Sequence, residues 1–178
     1  MLNQILFPFG ALRRRVDGNP VLGAALFGLL LGFVSSALSC AVLGTLTVFL
    51  PAAQWGPSAG AELSTRSEGV IIFYAIVIAP LLETLEGQVL PIELARRLRA
   101  SSAICVLLSG IIFGVGHYIN GGLAHGIATF FTGLVLGYGY VALRSRGFWP
   151  AYVASSTAHA MHNTLVIVVI SRLFPEWS

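Results

Sequence analysis

Charge is what this sequence has least of. Of its 178 residues, 10% are charged and 56% hydrophobic, whereas ordinary globular proteins carry about 25% charged residues. Lysine is absent, so all 10 basic residues are arginine, set against 7 acids for a net charge of +3. So thin an excess cannot coat a nucleic-acid-binding face, which argues against nucleic acid as a partner. The two cysteines, Cys40 and Cys105, sit in apolar stretches and offer no disulfide framework; they read as small apolar packing groups. A serine or cysteine nucleophile elbow is also missing, because Ser155-Ser156-Thr157 lacks framing glycines and neither cysteine adjoins a histidine.

What is present is long apolar runs. No charge occurs from Pro20 to Ala61, from Ala100 to Leu143 or from Gly147 to Ser171, and about 20 apolar residues cross a bilayer as a helix. The chain therefore reads as an all-α, polytopic membrane helix bundle around a polar intramembrane cavity. Five spans are expected, within Val21–Leu50, Gly69–Leu90, Ala100–Tyr118, Leu123–Leu143 and Phe148–Ile170. Turn residues separate them, notably Asn120-Gly121-Gly122 and the group Pro51, Gly56, Pro57 and Gly60. Arg13–Arg15, Arg96, Arg97, Arg99, Arg144 and Arg146 all fall on one side, leaving Arg66 and Arg172 on the other. Short cytoplasmic loops retain arginine, so this pattern puts the N-terminus in the cytoplasm and the C-terminus outside, in a cell inner membrane. The first span is far longer than the ~7–15-residue core of a signal peptide and is expected to be retained. Residues 1–68 would hold the N-terminal cytoplasmic segment, that span and an outer loop, and residues 69–178 the bundle that carries the chemistry. Gly28-xxx-Gly32, Gly110-xxx-Gly114 and Gly133-xxx-Gly137 set paired glycines on single helix faces, suited to contacts inside the bundle or, for one of them, to a dimer. The oligomeric state stays open.

Ionisable groups inside spans are costly and mark function. Glu83 and Glu86 lie on the second span, His117 ends the third, His125 begins the fourth, and His159, His162 and Asn163 lie on the fifth. His159 and Asn163 share a helix face, as do Phe113 with His117 and Glu83 with Glu86, whereas Thr84 is rotated by about 100° from Glu83. A carboxylate, two imidazoles and a carboxamide suit carbonyl hydrolysis. Glu83, removed from water, would act as general base, His117 would share or relay the proton, and His159 with Asn163 would donate hydrogen bonds to the oxyanion. His162 would stand behind His159, and His125 would mark a helix start or a path for substrate. Counted from Gly69, Glu83 falls roughly 21 Å down its span, in the cytoplasmic half. His117 falls near the outer surface, a mismatch that a later start or strong tilt of the third span, an interfacial helix at Arg96–Ala103, or boundaries shifted by a few residues would absorb.

The segments Pro80-Leu81-Leu82-Glu83-Thr84-Leu85-Glu86-Gly87-Gln88, Phe113-Gly114-Val115-Gly116-His117 and His159-Ala160-Met161-His162-Asn163 resemble the three motifs of the CAAX prenyl protease type II and bacteriocin-processing family of intramembrane proteases. That pattern is two adjacent glutamates with an arginine four residues after the second, then Phe-xxx-His, then His-xxx-Asn, on separate helices. The resemblance spans about residues 69–170 and matches Glu83, Phe113, His117, His159 and Asn163. It departs at Thr84 and Gln88, which stand where the family has its second glutamate and its arginine. Gln88 can orient a carboxylate by hydrogen bonding, and Glu86 is a candidate replacement for the missing carboxylate.

The resemblance implies cleavage of a peptide bond in a membrane-associated protein or peptide substrate, within the lipid bilayer. A metal-free glutamate mechanism with no cofactor is expected, with Glu83, His117 and His159 as zinc ligands in the alternative. Two other readings stand beside it. A haem carrier would use the histidines and leave Glu83 and Asn163 idle. A catalytically altered relative, acting as a membrane immunity or partner-binding protein, would account for Thr84 and Gln88. A transporter is disfavoured, since no internal repeat is evident.

Overall fold

The computed structural model describes residues 18–51, 55 and 67–170. The arginines at 13–15, Arg66, Arg172 and most of the segment between the first two spans lie outside the described residues. Five helices are long and apolar enough to cross a membrane: α1 Pro20–Phe49, α2 Glu68–Arg97, α3 Ser102–Ile119, α4 Gly121–Arg146 and α5 Phe148–Ile170. The protein is a multi-pass integral membrane protein, all-α among the described residues.

Local chemistry explains where the helices begin and end. Asn19 caps α1, its side chain accepting from the Leu22 N–H at 3.1 Å, and Pro20 follows at the first helical position. Ser101 caps α3 through the Ile104 N–H. The α2–α3 turn closes by two backbone bonds, Arg99 N–H to Arg96 O and Ala100 N–H to Ala95 O, each 3.0 Å. These define a Schellman turn, and they place Arg99 at φ 60, a left-handed conformation that costs a side-chain-bearing residue roughly 1 kcal/mol. Gly122, at φ 82, turns α3 into α4 almost without a loop.

Packing follows the small residues. A Cβ on Gly28 would stand 2.5 Å from Ala154 O, and one on Gly32 would stand 2.5 Å from Met161 Cβ, so α1 seats its backbone directly on α5. Gly110 and Gly114 face Leu134, Phe130 and Gly126, and Gly133 and Gly137 face Phe113 and Ser109. All three glycine pairs therefore serve contacts within one chain. The α5 face made of Ala151, Ala154, Ser155, Ala158, His159 and His162 is buried, a 3–4 spacing typical of an inward stripe. Phe33, Val48, Ile104, Leu107 and Val115 point outward, as bilayer residence requires. Cys40 and Cys105 are free thiols.

The reach of α2 departs from expectation. Instead of ending near Leu90, it passes through Pro91 to Arg97, and a tight turn rather than an interfacial helix follows at Arg96–Ala103. Glu83 is thus 14 residues before the end of α2 and His117 is 15 residues after the start of α3. Both sit about 21–23 Å from the shared turn, at one level. Glu83 is at the middle of its helix, not towards one end.

Prolines also widen α2 twice. Tyr74–Ile78 and Leu85–Val89 are π-helical, and each is followed, one residue on, by a proline, Pro80 or Pro91. Ala79 N–H bonds back five residues to Tyr74 O. Five residues beyond Ala75 stands Pro80, which has no N–H to offer, so the Ala75 carbonyl is freed.

Candidate active site

Between the two widened turns, the segment Ala79–Thr84 projects Glu83 into the bundle. Its Oε2 lies 3.6 Å from His117 Nε2 and 3.7 Å from His159 Nε2. These separations exceed a hydrogen bond and suit groups that share a water. Phe113 is wedged between the two imidazoles, with ring centroids 4.3 Å from His117 and 5.2 Å from His159. Gly87 makes this possible, since a Cβ there would press to 2.8 Å from the Phe113 ring.

The two imidazoles present opposite polarity to the same oxygen. His117 Nδ1 is 2.9 Å from the Phe113 carbonyl, which can only accept, so Nδ1 carries the proton and Nε2 turns a lone pair towards Glu83. His159 is buried, and its Nδ1 has no hydrogen-bond partner. A bare acceptor nitrogen is cheaper to bury unpaired than an N–H, which places the His159 proton on Nε2, facing the carboxylate. Among the described residues, no three His, Cys, Asp or Glu side chains are grouped to hold a metal ion. A zinc-bound His159 would carry its proton at Nδ1, where no second group accepts it.

The remaining expected residues fall into three groups. Asn163 reaches α2, its Nδ2 donating at 2.7 Å to the Ala75 carbonyl that Pro80 frees. His125 adjoins His117, and His162 turns towards α1. His125 lies tilted against His117 with ring centroids 5.3 Å apart, and His162 Nδ1 lies 3.2 Å from Ser35 Oγ and 3.3 Å from Ser36 Oγ. Thr84 and Gln88 are fully buried without hydrogen-bond partners, so Gln88 does not hold the Glu83 carboxylate. Glu86 is exposed.

Three contacts had no counterpart in the sequence reading. Ser35 and Ser36 bring α1 to the site. Tyr152 Oη donates to Leu81 O at 2.9 Å, tying α5 to the segment that bears Glu83. Ten residues beyond Glu83, Glu93 accepts from Tyr140 Oη at 2.9 Å and from Arg144 through both oxygens. The serines sit on one side of an otherwise mostly apolar helix, which was a readable signal.

Compared with known protein families, the chain matches the type II CAAX prenyl endopeptidase Rce1-like family over residues 65–165, more than half its length. It belongs to that family. No curated protein and no solved structure matches it. Family membership makes the chain a membrane protease. The matched region begins just before α2, so α1, with Ser35 and Ser36, lies outside it.

Proposed function

We propose that this chain cleaves a peptide bond of a membrane-associated protein by means of water activated at Glu83, without a metal. The observation that carries the reading is one carboxylate oxygen facing an acceptor imidazole and a donor imidazole at 3.6 and 3.7 Å. A water there donates one hydrogen to Glu83 and the other to His117 Nε2, leaving its lone pair for the substrate carbonyl. As the water attacks, Glu83 takes its proton, and the C–O bond forms while the carbonyl π pair moves onto oxygen. His159 Nε2–H donates to that oxyanion, and the second N–H of Asn163, not used by Ala75, is available to join it. Collapse breaks the C–N bond, and the proton held by Glu83 passes to the leaving amine.

The acceptor–donor asymmetry favours this scheme over zinc, which would need lone pairs from both imidazoles. It also favours an enzyme over a haem carrier, because Glu83 and Asn163 both have work. The same reading keeps the N-terminus cytoplasmic, with the arginine-rich end of α2 and α4 on that side.

The test compares membrane proteomes of cells carrying the natural protein or Glu83→Gln. One precursor should stay uncleaved in the mutant alone. Complete cleavage by Glu83→Gln would instead favour the partner-binding relative. With that precursor in hand, cleavage by the purified protein should survive a strong chelator; loss restored by added zinc would replace the metal-free mechanism.

A further inference from the structure

The corner where α2 turns into α3 carries more positive charge than its own acids neutralise. Arg96, Arg97 and Arg99 are exposed there, and the Glu93 ion pair brings Arg144 of α4 to the same end. Glu93 is already engaged by Arg144, Tyr140 and Arg96. Arg97 and Arg99 have no acidic partner among the described residues.

Arg99 holds the left-handed position of the turn at φ 60, where glycine is relaxed and an arginine is strained. The turn closes by backbone bonds that need no side chain at 99. An arginine at a position that disfavours it points to a use for its guanidinium outside the turn. Close to it in the chain, Leu94 and Leu98 are 61% and 76% exposed. A planar cation beside open apolar side chains suits a molecule that joins a phosphate to hydrocarbon.

We propose that Arg97 and Arg99 bind the phosphate of an anionic phospholipid, with Leu94 and Leu98 against its acyl chains. This site is separate from Glu83 and does not depend on protease activity.

The experiment uses the full-length protein in neutral detergent. Native mass spectrometry would follow its binding of phosphatidylglycerol, of phosphatidylcholine with the same chains, and of inorganic phosphate. Phosphatidylglycerol should be retained in preference to phosphatidylcholine. Arg99→Gly carries the sharpest expectation, because its two effects have opposite signs. It should raise the unfolding temperature of the lipid-free protein by a few degrees and lower phosphatidylglycerol binding about fivefold. The double variant Arg97→Gln/Arg99→Gln should bring binding down to the phosphatidylcholine level. Undiminished phosphatidylglycerol binding by Arg99→Gly would overturn the proposal. So would equal retention of both lipids, or displacement of phosphatidylglycerol by inorganic phosphate at equal concentration, which would make this a free-anion site.

Discussion

Glu83 and Glu93 are the same side chain on the same helix, ten residues apart, and they are almost equally exposed, at 34% and 28%. Exposure does not distinguish them; their partners do. Glu93 accepts from Tyr140 and from two nitrogens of Arg144, so both its oxygens are occupied and α2 is riveted to α4. Glu83 faces two imidazoles, neither within hydrogen-bonding distance. A carboxylate whose hydrogen bonds are complete holds a structure together, and one whose nearest partners stand slightly too far away is ready to accept a proton from something else.

Crossed substitutions at these two positions test that distinction. Glu83→Gln should lower cleavage of the physiological precursor by about 10²–10⁴-fold, roughly 3–5 kcal/mol in the barrier, with the unfolding temperature unchanged. Glu93→Gln should do the reverse. Losing charge-assisted bonds costs about 2 kcal/mol of stability, or roughly 4–8 °C in unfolding temperature for a chain of this size, while each folded molecule cleaves normally. If Glu93→Gln abolished cleavage at full stability, the division of labour between the two glutamates would be wrong.

A smaller effect is expected from Asn163→Ala, which leaves the Ala75 carbonyl without its donor and costs about 1 kcal/mol. Because Asn163 also faces the reacting centre in the proposed mechanism, its loss should slow cleavage more than this stability change explains. Ser36→Ala should be the mildest, under about 0.5 kcal/mol, since Ser35 still reaches His162. The double variant Ser35→Ala/Ser36→Ala should cost more than the sum of the singles, which a double-mutant cycle would measure. Additive behaviour would show that the two hydroxyls do not substitute for one another at His162.

The five spans were legible because the bilayer enforces length and apolarity, and those are properties of the sequence alone. Glu83, His117 and His159 were legible for a related reason: polar groups in such segments are rare enough to stand out. What escaped the reading depends on how helices are rotated against each other. Nothing in the spacing of Glu93 and Arg144 shows that they meet, nor that Ser35 and Ser36 turn towards His162. The depth mismatch between Glu83 and His117 arose because the second span was expected within Gly69–Leu90. In the structure the helix widens ahead of Pro91 and continues to Arg97, which brings the two residues level. Asn163 was legible as a polar group on the His159 face, but its partner was not, since a freed carbonyl appears only once the widened turn is seen.

The two widened turns of α2 also act as phase adjusters. Each accommodates one residue more than an α-helical turn, offsetting everything beyond it by about 100° of rotation. The cassette Ala79–Thr84 is thereby indexed separately from both flanking stretches. Removing one residue from either π turn would swing Glu83 out of register with one end of its helix while the chain kept its composition, apolarity and number of spans. Two such offsets, set by Pro80 and Pro91, let a single helix present its carboxylate to α3 and α5 in the middle and Glu93 to α4 at its end.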